Sequence, residues 1–163
     1  MKKKTIKVIV FGTFDILHPG HLDFLKQAKA LGDFLIVSVS RDDNARKFKG
    51  YSPLFGENDR LEIIKNLKIV DRAVLGDRHY YLKHTLKEKP DIIALGYDQT
   101  AYGKNLLADI KAGKLKVKLV RLKPHKSHYY KSSKFKNLIK RSHGSLLPLI
   151  RPPATFSRKG RRA

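Results

Sequence analysis

Residues 12–21 read Gly-Thr-Phe-Asp-Ile-Leu-His-Pro-Gly-His, and most of their types suit the handling of a phosphate. Gly12 permits a tight turn, and Gly20 lets a ligand approach the backbone closely. Pro19 fits the first turn of a helix, where its missing N–H has no intrahelical partner. His18 and His21 stand three positions apart, so on a helical turn both imidazoles face one side. Placed where a helix begins, they add two side-chain donors to free backbone N–H groups and a positive dipole end, a ready site for an anion. Zinc fits this pair poorly, because helical zinc pairs usually stand four apart and need a third ligand. No metal ligand is therefore expected in the motif.

Two further clusters belong with it. Gly96-Tyr97-Asp98-Gln99 follows an apolar run, which places Asp98 at a strand end, where a carboxylate can hold a nucleotide hydroxyl or amine, or help with a cation. Ser132 and Ser133 precede a final amphipathic segment and can cap it while offering hydroxyls and N–H groups to phosphate.

These residues need a frame. TIKVIVF at 5–11 and FLIVSVS at 34–40 are short β-branched apolar runs that read as buried strands. Between them His21 to Leu31 sets Leu22, Leu25, Ala28 and Leu31 on one helical stripe, with Gly32 as its stop. After a polar, basic segment comes a helix from Arg60 to Leu67 and a short strand, RAVLG, at 72–76. Residues 80–88 form a further helix, closed by Pro90. DIIALG at 91–96 is a strand, LLADIKAG at 106–113 a helix and KVKLVRL at 116–122 a strand. SKFKNLIKR at 133–141 is a last helix with Phe135, Leu138 and Ile139 as its apolar side. Alternating strands and helices predict an α/β fold, a Rossmann-like parallel sheet with helices on both faces.

A chain of 163 residues and 18.7 kDa fits one such domain, here residues 1–141, with 142–163 as a flexible tail containing three prolines and a basic end. Hydrophobic residues at 41% and charged ones at 31% exclude a disordered or fibrous class. The absence of cysteine removes disulfides, thiol catalysis and Cys-rich zinc sites. No apolar run approaches the roughly 20 residues of a membrane span, and a cytoplasmic protein is expected. The net charge is +22, and residues 110–163 contain 17 basic and no acidic residues. Such a field attracts polyanions, with nucleotide, nucleic acid and anionic lipid heads alike in that respect.

Gly12 to His21 matches, at every specified position, the GTFDxLHxGH signature of the HxGH nucleotidyltransferase superfamily. The sequence resembles its cytidylyltransferase-like branch over residues 6–140. The resemblance implies transfer of a nucleoside monophosphate from ATP or CTP to a phosphate-bearing acceptor with release of pyrophosphate, and no covalent enzyme intermediate. Mg²⁺ or another divalent cation accompanies the nucleotide. It assigns Gly12, Thr13, Phe14, His18, Pro19, Gly20 and His21 to the nucleotide and Asp15 to the acceptor. Arg46 to Gly50 resembles the family's basic loop, with Lys47 and Lys49 reaching the outer phosphates and Lys49 joining the histidines in catalysis. Arg60 sits where relatives carry an arginine, and Asp98 at a nucleotide-contact position. Ser132 and Ser133 keep the serine end of the Arg-Thr-x-Gly-Ile-Ser-Thr motif, whose arginine and glycine are missing from residues 127–133.

Within that branch, Lys89 to Gln99 (KPDIIALGYDQ) and LKIVDRAVLGD at 67–77 are similar to archaeal-type FAD synthases, which move AMP from ATP onto FMN. On that likeness His125 falls near the nucleotide, and Tyr129 or Tyr130 stacks on the flavin. The alternatives are a glycerol-3-phosphate cytidylyltransferase, a heptose-phosphate adenylyltransferase or, in another class, a basic nucleic-acid-binding protein. A homodimer is expected by analogy, as is non-specific contact of nucleic acid with the tail, with transfer activity surviving removal of residues 142–163.

Overall fold

The computed structural model describes residues 4–50, 52–77, 81–126, 128–130 and 132–142. The expected tail, from residue 143 onward, lies outside them. Eleven elements follow in order: β1 (Lys7–Gly12), α1 (Pro19–Lys29), β2 (Phe34–Val39), α2 (Asp42–Lys49), α3 (Glu57–Lys65), β3 (Arg72–Leu75), α4 (Tyr81–Glu88), β4 (Ile92–Leu95), α5 (Thr100–Lys111), β5 (Lys118–Arg121) and α6 (Ser132–Ser142). The chain divides into two compact units, Met1–Ser132 and Ser133–Ala163.

The first unit is a five-stranded sheet in the order β3-β2-β1-β4-β5, and every pair is parallel. Its strands are apolar almost throughout because both faces are covered. Val8 and Val10 point to one cluster with Leu25 and Ala28 of α1 and Ile64 of α3. Ile9, Ile36 and Ile93 point to the other, with Leu106 of α5 and, at its margin, Leu82 of α4. This is the Rossmann-like arrangement expected. The order reverses between β1 and β4, and in open α/β sheets ligands bind in the crevice beyond the carboxyl ends of the strands at such a point.

Three segments differ from expectation. The polar basic segment contains α2, which buries only Ala45 within its described residues and so shows no apolar stripe. Its N-terminus is tied across the chain instead, with Asp42 N–H donating to Glu57 Oε2 at 2.8 Å and Glu57 N–H donating to Asp42 Oδ2 at 3.2 Å. That reciprocal cap also starts α3 at Glu57, three residues before Arg60. α5 starts six residues before Leu106; Gly103 hides the start, because a Cβ there would lie 3.0 Å from Leu95 Cδ1 and from Arg121 Nη2.

Candidate active site

β1 delivers the motif to the carboxyl edge of the sheet. Phe14 takes a left-handed backbone conformation, φ 51°, and is buried with its ring folded over Gly12, where a Cβ would stand 2.6 Å from the ring. Glycine is thus required at position 12. α1 opens at Pro19 with His18 as its N-cap, and His18 Nδ1 accepts the backbone N–H of His21 at 3.3 Å. Accepting there leaves the neutral ring's proton on Nε2, so His18 is a fixed donor on its outer nitrogen. The His18 and His21 rings stack with centroids 3.8 Å apart and planes 19° from parallel. Burial lowers the pKa of His18 below its ordinary 6.5, against a smaller opposing effect of a backbone hydrogen bond. Gly20 is needed for packing: a Cβ would meet the His18 ring and Tyr130 Cβ, each at 3.1 Å.

Asp15, expected at the acceptor, is held by the chain itself. It is buried, and its Oδ1 accepts the N–H groups of Leu54 at 2.7 Å and Phe55 at 3.0 Å, tying the loop before α3 to the motif. Arg60 also departs from expectation. It is fully buried, and its guanidinium donates to Thr13 O, to Phe55 O at 3.0 Å, and to Ser40 O and Asp42 Oδ1 at 2.7 Å. An arginine with this many internal acceptors is a strut beneath the motif rather than an arm reaching into the crevice. Thr13 is buried above it.

Across the switch point, Gly96 follows the last residue of β4, and Asp98 is exposed just beyond. Gln99 joins the two walls. Its Oε1 accepts Gly96 N–H at 2.8 Å and its Nε2 donates to Phe11 O at 2.8 Å, fastening β4 to the last residue before Gly12. Arg121 adds bonds from Nη1 to Gly96 O at 3.0 Å and Tyr97 O at 3.3 Å. Neither residue was expected in the site. Gln99 carries a legible signal, an amide just past a strand with one donor and one acceptor to offer; Arg121 carries none.

On the β5 side three rings line up. The Tyr130 ring lies 6.2 Å from His18 at 16° and 6.0 Å from His125 at 6°, and His125 Nδ1 stands 3.5 Å from Asp23 Oδ1. Ser132 Oγ donates to Ile16 O at 3.4 Å. His125, Tyr130 and Ser132 are therefore brought to the motif, whereas Tyr129 is 73% exposed and makes no ring contact among the described residues. Ser133 belongs to the second unit. Lys47 is exposed on α2, and the Lys49 side chain lies outside the described residues.

Among the described residues no cluster of three His, Cys, Asp or Glu could hold a metal ion, and no helix is long and apolar enough to cross a membrane. The crevice between β1 and β4 therefore offers imidazole donors and the helix N-terminus to an anion, and the exposed Asp98 to a hydroxyl, an amine or a cation already bound by phosphate.

The cytidylyltransferase-like family model matches residues 9–141. FAD synthases from Archaeoglobus profundus and Thermoplasma volcanium are each 44% identical, over 78% and 82% of this chain and 81% and 94% of theirs. One from Korarchaeum cryptofilum is 49% identical over 71% of this chain and 80% of its own. A crystal structure described as the lipopolysaccharide core biosynthesis protein of Thermoplasma volcanium superposes with a TM-score of 0.71 at 46% identity, covering 75% of this chain and 99% of that one. Pantoate-beta-alanine ligase from Francisella tularensis shares the fold at 19% identity and a TM-score of 0.55. The signature at the start of α1, the sheet that presents it and these relatives together show that the chain belongs to the cytidylyltransferase-like family and is a nucleotidyltransferase.

Proposed function

We propose that this enzyme transfers AMP from ATP to FMN, forming FAD and releasing pyrophosphate. The observation that carries the reading is the similarity to FAD synthases over most of both chains, joined to a histidine pair at a helix N-terminus. An FMN phosphate oxygen attacks the α-phosphorus of ATP, a new P–O bond forms, and the bond to the outer two phosphates breaks as pyrophosphate leaves. Such transfers are catalysed mainly by positioning and by donors around the developing charge. His18 Nε2–H and the His21 imidazole supply those donors, and the first turn of α1 adds backbone N–H groups. ATP arrives as its magnesium complex, whose cation neutralises charge on the departing pyrophosphate. Asp98 is the carboxylate available to a ribose hydroxyl or to that cation's shell, and Tyr130 lies beside the histidines to bound the nucleotide or flavin ring.

The test is pyrophosphate release with Mg²⁺, pairing ATP or CTP with FMN, glycerol 3-phosphate or a heptose phosphate and weighing the products. FAD from ATP and FMN alone is the expected result. CDP-glycerol or an ADP-heptose would replace the acceptor and overturn the reading.

Two predictions follow from the geometry. Because His18 works with Nδ1 accepting and Nε2 protonated, its charged form is inactive. Its pKa is held below 6.5 by burial, so the working form predominates at pH 6.5 and above and is lost as pH falls through the lowered value. The acid limb of kcat/KM therefore lies below pH 6.5, and stability falls in the same direction, since the unfolded state takes up that proton more readily. A limb above pH 6.5 that disappears in His18→Asn would contradict this. Gln99→Ala removes two bonds that hold β4 to β1, each contributing about 1 kcal/mol. KM for ATP is expected to rise about tenfold with a smaller change in kcat; an unchanged KM would remove Gln99 from the site.

A further inference from the structure

Beyond β5 the chain returns to α1, and one side chain of that helix holds it there. Leu122 N–H still follows β4, donating to Leu95 O at 2.8 Å. At the next residue both main-chain groups go to Gln27: Lys123 N–H donates to Gln27 Oε1 and Gln27 Nε2 donates to Lys123 O, each at 3.1 Å. A helix amide thus stands in for a neighbouring strand, 96 positions away in the sequence. Asp23, one turn earlier on α1, sets which way round the amide lies, because its Oδ2 accepts from Gln27 Nε2 at 2.6 Å. An ionised carboxylate accepts and cannot donate, so it selects the orientation that presents Oε1 to Lys123 N–H.

This clamp carries one wall of the site. Two residues past Lys123 comes His125, whose Nδ1 stands 3.5 Å from the other oxygen of Asp23. The chain then turns, with Tyr130 N–H donating to Lys126 O at 3.1 Å, and brings the Tyr130 ring near parallel to those of His125 and His18. His18 therefore has the His21 ring 3.8 Å away and the Tyr130 ring 6.2 Å away. Part of its burial comes from the segment that Gln27 holds.

We propose that Gln27, oriented by Asp23, is a positioning residue for nucleotidyl transfer: by pinning the chain after β5 to α1 it seats Tyr130 beside His18 and keeps that imidazole covered and in place. The inference rests on the reading that the histidine pair stabilises the transferring phosphate, and it does not depend on which acceptor the enzyme uses.

The test compares Gln27→Met, close in volume but without the three hydrogen bonds, with Asn66→Ala, which removes an amide bonded to Glu62 at the end of α3. The first readout is the titration midpoint of His18 in the full chain without substrate, followed by its imidazole NMR signals. Burial holds that midpoint below 6.5. The ionisable groups beside His18 are His21 and Tyr130, with His125 and Asp23 next in line. Gln27→Met alters none of them, so a loosened segment acts through solvation and should raise the midpoint toward 6.5. The second readout is steady-state transfer, in which kcat is expected to fall about tenfold while KM for ATP changes by less than about threefold. Asn66→Ala should leave both readouts where they are. Tyr130→Leu keeps the clamp but removes what it seats, and should raise the midpoint as Gln27→Met does. The double variant Gln27→Met/Tyr130→Leu should lose no more turnover than Tyr130→Leu alone, as expected of two residues acting through one path. An unmoved His18 midpoint in Gln27→Met, an equal shift in Asn66→Ala, or additive losses in the double variant would each overturn the proposal. A raised midpoint with unchanged turnover would support the clamp and count against the histidine pair as the charge-stabilising group.

Discussion

Alanine at either motif histidine is expected to lower turnover by about 10²–10³, the usual cost of losing one donor from a charge-stabilising site. The two positions differ in what else they lose. His18 also caps α1 through Nδ1, and removing an N-cap costs about 0.5–2 kcal/mol of stability. Asparagine is a good N-cap but has no imidazole, so His18→Asn should restore most of that stability and little of the rate. His21 makes no cap, and what His21→Ala deletes, a stack on His18 at 3.8 Å and an edge-on contact with Phe14 at 5.4 Å, is a packing contribution. Single-turnover rates of AMP transfer, measured with urea midpoints for the same variants, separate the two effects. Near wild-type turnover in both alanine variants would remove the pair from the chemistry.

Arg60→Met is expected to be the most destabilising single substitution at the site. Arg60 is fully buried and its guanidinium serves three carbonyls and a carboxylate contributed by three separate segments. Methionine fills part of the volume but leaves Thr13 O, Ser40 O and Phe55 O without that donor. Breaking a buried charge pair from one side commonly costs about 3–5 kcal/mol. Asp42 is 36% exposed on its side chain and can return to water, which places the expectation near the lower end. Against a total stability of about 5–15 kcal/mol the urea midpoint should fall by a large fraction, and Arg60→Lys should not rescue it, since one ammonium cannot reach acceptors arranged around a planar fork. Because Thr13 O is one of those acceptors, the residual folded enzyme should also turn over more slowly. A midpoint shift equivalent to less than about 1 kcal/mol would show that the guanidinium is no strut.

The arginine illustrates why a chemical motif and its support are read with different success. An arginine near the start of a helix is ordinarily solvated or reaches for a ligand, and the family resemblance alone assigns Arg60 to the nucleotide. Its partners lie 5 to 47 residues away along the chain, and only the fold shows that they converge on it. Asp15 is the same case, with its amide donors about forty residues away. The adjacent Tyr129 and Tyr130 are indistinguishable by type; in the folded chain Tyr129 is 73% exposed and Tyr130 stacks 6.2 Å from His18. α2 has no apolar stripe to mark it in the sequence, because its N-terminus depends on Glu57 of another helix.

What the sequence determined by itself was whatever depends on neighbours within a turn or on strict alternation. The ten residues from Gly12 to His21 specify a turn, a cap and a helix start through contacts no more than four positions apart, and the apolar strand runs specify a sheet covered on both faces. The chemistry of the histidine pair was legible because the helix start itself brings the rings together. Tertiary structure alone decided which charged and aromatic residues face the crevice and which hold it up, since burial and hydrogen-bond satisfaction are set by groups distant in the chain. It also decided that Gln99 would clamp β4 to β1, because that arrangement exists only once the sheet has assembled in the order β3-β2-β1-β4-β5.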